Sequence, residues 1–199
     1  MSSLTPNLVL DLLFLLGAFL VGSIPFGLLL AKRYLDLDLR QLGSGNIGAT
    51  NAYRAGGKAF GAIVLLLDLL KGYLPPLLVI MWGHSPEDPL SLAAGGMAVF
   101  GHCCSPWLGF QGGKGVATTL GVTLALAPTL AAGGLLIYVL VVFLFRVSGL
   151  GSLIAIGLMS IASWWSHGHG MGITLGAIYA LVVWRHRSNI QALVARDTE

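Results

Sequence analysis

Charge is what this sequence lacks most. Of its 199 residues only 10% are Asp, Glu, Lys or Arg, whereas 56% are hydrophobic. Soluble domains carry about 25% charged residues. A chain this apolar has too little polar surface to cover itself in water, so its solvent is lipid. Cysteine is nearly as scarce. Cys103 and Cys104 are the only two, and they are adjacent. They cannot tie distant elements together, and no Cys-x-x-Cys or Cys/His cluster marks a metal site. They read as small packing residues. No basic segment precedes the first apolar run, which extends from about residue 7 to 31. That run is too long for a signal-peptide core and reads as a retained first span. Linkers and low-complexity stretches are missing too, so residues 1–199 read as a single membrane domain.

What the sequence does contain is a series of apolar stretches: 7–31, 59–82, 89–109, 116–145, 149–166 and 170–184. As one helix, 116–145 would measure ~45 Å, well beyond a ~30 Å hydrocarbon core. Pro128, Gly133 and Gly134 sit in its middle, where a helix breaks. The stretch therefore predicts two short helices, about 116–127 and 130–145. The net charge of +3 comes from basic residues beside the spans. Membrane topology explains them better than nucleic-acid binding. The His84–Asp88 and Ser166–His169 loops hold no Lys or Arg. The positive-inside rule puts those loops outside and the basic ones in the cytoplasm. The expectation is an all-α polytopic fold of about seven spans, with the N-terminus outside and the C-terminus cytoplasmic.

Three unusual segments fall on the basic side. The first is Gly43-Ser44-Gly45-Asn46-Ile47-Gly48-Ala49-Thr50-Asn51, followed by Arg54. The second is Gly112-Gly113-Lys114-Gly115-Val116-Ala117-Thr118-Thr119. The third is Arg185-His186-Arg187-Ser188-Asn189-Ile190. Glycines let a loop turn its N–H groups toward a ligand, and helix N-termini favour anions. Lys114 adds a full charge, and Arg54 can make a bidentate phosphate contact. The second segment is not a Walker A loop, because Leu108 and Gly115 stand where that pattern needs Gly and Ser or Thr. Such loops can also be plain tight turns, and Arg185 and Arg187 can be interface anchors. His186 and Asn189 share a helix face if the last helix continues. Asp68 and Lys71, also i, i+3, read as a structural pair inside the second span. His102 fits either packing or a site.

No histidine has an Asp five residues after it, and no Gly-x-Ser-x-Gly elbow occurs. Transfer chemistry here would lack an Asp-oriented histidine base. An organic-anion transporter is a second reading, since broken helices can aim their dipoles at an anion. Against it, there is no convincing inverted repeat, and the polar segments cluster at one face. A scaffold that grips anionic lipid heads is a third reading. It would not need both glycine segments.

Together, these segments resemble the bacterial acyl-phosphate:glycerol-3-phosphate acyltransferase family. The similarity also takes in Gly22-Ser23-Ile24-Pro25, Asp68-Leu69-Leu70-Lys71-Gly72 and Gly101-His102. The resemblance implies a seven-span enzyme of the bacterial inner membrane with its active site toward the cytoplasm. It would move an acyl group from acyl phosphate to the 1-hydroxyl of glycerol 3-phosphate. The products would be lysophosphatidic acid and phosphate. No metal, other cofactor or acyl-CoA is implied, and membrane lipid is the only further partner. The oligomeric state is left open, a monomer included. By motif, Ser44, Arg54, Lys114, Ser152, His186 and Asn189 match positions that bind or orient the substrate phosphates. Lys114, His186, Ser44 and Arg54 are the catalytic candidates. Gly45, Asn46, Gly112, Gly113 and Gly115 complete the two cradles. Two features depart from the family pattern. Ser105 precedes the proline, Pro106, that usually comes one residue earlier, and Ala192 stands where an Arg is usual, with no Gly-x-Glu ending after it.

Overall fold

The computed structural model describes the backbone of residues 7–196 and the side chains through residue 191. Within these bounds all regular structure is helical. The first apolar run forms one candidate span, as expected over 7–31, but it is broken into two helices, α1 (Leu8–Ser23) and α2 (Phe26–Tyr34). Pro25 is the reason. It has no N–H to donate, and it forces Ile24 out of the helical region, to φ −61°, ψ 118°.

The basic loop that follows leads into α3 (Ala49–Met81), which is interrupted at Gly57. The φ of +81° there is a left-handed conformation that only glycine adopts without strain. The interruption separates a short opening helix, which carries Arg54, from the long apolar span. Next comes α4 (Pro89–Cys103), capped by the Asp88 carboxylate on the Leu90 N–H at 2.8 Å, with Pro89 in the first turn. The 116–145 stretch divides as expected, into α5 (Val116–Leu126) and α6 (Pro128–Phe145). The chain ends in α7 (Ser148–Ser166), α8 (Gly168–Arg185) and α9 (Arg187–Arg196).

Among the described residues, four segments are long and apolar enough to cross a bilayer: 8–34, 49–81, 128–145 and 148–166. Helix α5 has 11 residues, so it is ~17 Å long and spans about half of a hydrocarbon core. The lipid-facing character is plainest on α6, where Leu136, Val139, Leu140 and Phe143 are exposed.

Glycine lets the helices touch backbone to backbone. A Cβ on Gly22 would fall 2.1 Å from the Ala98 carbonyl oxygen, which joins α1 to α4. One on Gly121 would fall 2.0 Å from the Leu69 oxygen, which joins α5 to α3. Small residues at helix contacts replace the hydrophobic drive that lipid removes.

The break at Pro25 strands backbone carbonyls inside the bundle, and those of Ser23 and Ile24 take side-chain donors. The Lys71 ammonium donates to the Ile24 oxygen at 2.8 Å, and the Ser105 hydroxyl donates to the Ser23 oxygen at 2.7 Å. The Trp107 indole N–H donates to the Ser23 hydroxyl at 2.8 Å. Lys71 also pairs with Asp68 at 2.8 Å, and both are buried. A buried ion needs a partner and satisfied hydrogen bonds. The pair read from sequence as structural thus serves the broken span. Ser105, one of the two departures, holds the end of α4 to the end of α1.

Candidate active site

The lysine loop hangs between the ends of α4 and α8. The N–H groups of Gly112 and Gly113 donate to the Cys103 and His102 carbonyls, both at 3.0 Å. Sequence reasoning gave these two N–H groups to the anion. They are already spent on the end of α4, so Gly112 and Gly113 shape the loop instead. His102 packs against Gly113 so tightly that a Cβ there would lie 2.0 Å from its Nε2. His102 is therefore a packed wall of the loop, with its Nδ1 3.7 Å from Asp68.

Gly115 turns the chain with φ +84° and caps α5. Among the described residues, the N–H groups of Lys114 through Thr118 have no acceptor. This is the normal state of a helix start, and it leaves a cluster of donors beside a cation. Lys114 itself is half-buried. Its ammonium donates to the Asn189 amide oxygen at 2.5 Å. Burial, and then the positive charges of Arg185 and Arg54, push its pKa below the usual lysine value. The second and third segments therefore meet directly, and Arg54 of the first acts on the same ammonium.

His186 closes this corner. It is buried, and its Nδ1 lies 2.8 Å from the Val182 carbonyl. A carbonyl can only accept, so Nδ1 carries the proton and Nε2 is left as an acceptor. Burial pushes the pKa down, the Val182 bond opposes this, and Lys114 adds to it. The ring faces the start of α7, with Cδ2 3.7 Å from where a Gly149 Cβ would sit. Ser152 is three residues further along that face and buried. Its hydroxyl donates to the Ser148 carbonyl at 2.9 Å, so its oxygen can still accept.

The first segment is organised by a residue to which sequence reasoning gave no role. The buried Asn51 Nδ2 donates to three carbonyls: Leu39 at 2.9 Å, Leu42 at 3.0 Å and Asn46 at 2.8 Å. The Asn46 side chain accepts from the Gly48 N–H at 3.2 Å, so its oxygen shapes the turn into α3. Ser44 and Gly45 lie exposed on this loop, and Arg54 is exposed on the opening helix of α3. Among the described residues no hydrogen bond joins Ser44 to the Lys114 group. Ala192 and the C-terminal end lie outside the described side chains.

Two cationic or polar segments far apart in sequence thus meet at one end of the bundle, and the charge of Arg54 from the first reaches the same ammonium. The family model described as glycerol-3-phosphate acyltransferase matches residues 12–196. The chain belongs to the glycerol-3-phosphate acyltransferase family. Relatives of that description agree over nearly the whole length. One from Myxococcus xanthus is 47% identical, covering 94% of this chain and 96% of its own. One from Trichlorobacter lovleyi is 45% identical, covering 92% and 94%. Among solved structures, PlsY (YgiH), an integral membrane glycerol 3-phosphate acyltransferase in its glycerol 3-phosphate form, matches with a TM-score of 0.89. It is 36% identical, covering 93% of this chain and 92% of that one. The lysophosphatidic acid form of PlsY matches with a TM-score of 0.86 at 34% identity. At this identity, the family relationship extends to the membrane-embedded helical fold.

Proposed function

We propose that this chain transfers an acyl group from acyl phosphate to the 1-hydroxyl of glycerol 3-phosphate, releasing lysophosphatidic acid and phosphate. The observation that carries the reading is the Lys114–Asn189 bond, with Arg54 acting on the same ammonium. It joins two anion-seeking segments at one point, within reach of the charge of a third. Both substrates carry phosphate, so one cationic corner can hold the acceptor and the leaving group together, which lowers the entropic cost of their meeting.

In the reaction the glycerol hydroxyl oxygen attacks the acyl carbonyl carbon. A new ester C–O bond forms, and the bond from the acyl carbon to the phosphate oxygen breaks. The electron pair leaves with phosphate, whose charge Lys114 and the free N–H groups at the start of α5 stabilise. Acyl phosphate is already activated, so no protein nucleophile is needed. The hydroxyl proton passes to a substrate phosphate oxygen or to His186 Nε2, the free acceptor of the neutral ring. Ser44, Arg54 and Ser152 bind and orient the phosphates.

The acyl tail lies among the helices. A groove of about 370 Å³ between α4 and α8, lined by Leu92, Gly96, Phe100, Ile173, Ala177 and Leu181, supports this path. Phe100 and Leu181 lie within a turn or so of Cys103 and Arg185, at the site. The basic residues beside this corner favour a cytoplasmic site in the bacterial inner membrane, with about seven spans, N-terminus outside and C-terminus inside.

The test is phosphate release by detergent-purified protein given palmitoyl phosphate and glycerol 3-phosphate, beside Lys114→Ala. Release that needs both substrates, yields lysophosphatidic acid and collapses in the variant is expected. No turnover by folded protein, with acyl phosphate or acyl-CoA, would refute the reading.

A further inference from the structure

Arg185 ends α8, and its guanidinium reaches across to the lysine loop. Nε donates to the Gly113 carbonyl at 3.0 Å, and Nη2 donates to the Gly112 carbonyl at 2.5 Å. The N–H groups of the same two glycines donate to the Cys103 and His102 carbonyls. The backbone of two consecutive residues is therefore held, with α4 taking its N–H groups and Arg185 its carbonyls. The next residue is Lys114. Its ammonium is held by Asn189, four residues beyond Arg185. One end of the bundle thus fixes both the backbone and the head of the lysine.

We propose that Arg185 is a positioning residue for acyl transfer, and that its two-pronged grip on the Gly112 and Gly113 carbonyls sets where the Lys114 ammonium stands. The proposal rests on the acyltransferase reading above. Only arginine meets two adjacent carbonyls with a rigid planar fork, whereas lysine offers a single flexible point charge. Arg185 has a second, separable effect. Its charge acts on Lys114, as does that of Arg54 from α3. The other titratable groups around the loop are His186 beside Arg185, and His102, Cys103 and Cys104 from the end of α4. Removing the Arg185 charge lets Lys114 keep its proton to higher pH. Replacing it by lysine keeps a charge there but loses the fork.

The experiment uses the full chain in detergent, with palmitoyl phosphate and glycerol 3-phosphate, across a pH series. Turnover by the unmodified protein is read first, and its failure would sink the acyltransferase reading rather than this proposal. In Arg185→Lys and Arg185→Gln, kcat is expected to fall by about a hundredfold, the scale of a misplaced catalytic group. The alkaline limb of the profile should move up in Arg185→Gln and stay in place in Arg185→Lys. Both variants should melt at the temperature of the unmodified protein. Unchanged kcat in Arg185→Lys would overturn the proposal. So would a loss of turnover matched by a lowered melting temperature in both variants.

Discussion

The ammonium of Lys114 donates to the amide oxygen of Asn189 at 2.5 Å, across 75 residues of chain. Asn189 orients the cation without neutralising it, and a carboxylate at that position would not do the same. Asn189→Asp should compete with phosphate for the lysine. The loss of a charge-assisted contact is worth about 1.5–3 kcal/mol. Steady-state kinetics should show KM for glycerol 3-phosphate rising about tenfold or more in Asn189→Asp, and less in Asn189→Ala.

The pH profile should be asymmetric in a defined way. On the proposed mechanism Lys114 acts as a cation, and its pKa is pushed down. The alkaline limb should therefore fall below the usual lysine range. His186 is also pushed down, so its Nε2 stays free to a pH below the usual imidazole value. The folded state resists protonation there, and the unfolded state does not. Stability should decline as the pH falls through the ordinary histidine pKa. Melting temperatures of the unmodified protein and His186→Gln across pH 5–8 should converge at the acid end.

Asp68 and Lys71 should behave as a buried pair. Removing one partner leaves an uncompensated charge, at a cost of about 3–5 kcal/mol. Asp68→Leu alone should lower the melting temperature in detergent more than Asp68→Leu with Lys71→Met. The double variant should remain below the unmodified protein, because the Ile24 carbonyl then loses its lysine donor and keeps only the Phe26 N–H at 3.1 Å.

Gly121→Ala should force α5 away from α3, because the new Cβ would fall 2.0 Å from the Leu69 carbonyl. Overpacking of this kind costs about 1–3 kcal/mol. Gly133→Ala meets open space on α6 and should be neutral or mildly stabilising. Thermal denaturation of the two variants side by side checks the contrast.

Asn51→Asp keeps the shape of the side chain but replaces its donor with an acceptor, facing three carbonyls. The loop bearing Ser44 should open. Turnover should fall at least as far as in Ser44→Ala, although Asn51 itself is buried.

Much of this was legible in the sequence. Pro128 marked the break between α5 and α6. The i, i+3 spacing of Asp68 and Lys71 marked their pairing. These signals are local, and backbone chemistry fixes them. Pro25 was visible as well, but its run stayed apolar on both sides, so the break it makes was masked. The grip of Arg185 on Gly113 spans 72 residues and joins a side chain to a backbone carbonyl. Such a bond leaves no periodic trace, and adjacency to His186 was its only hint. The spending of the Gly112 and Gly113 N–H groups on α4 was equally hidden, because glycine spacing does not say where an amide points.

The shortness of α5 bears on how a lipid is made. A helix of 11 residues covers ~17 Å of a ~30 Å core, so the donors at its start can be recessed below the headgroup level. On the proposed reading, the fatty donor need never be lifted into water. The small, soluble acceptor travels instead, and the new lipid forms already among the helices.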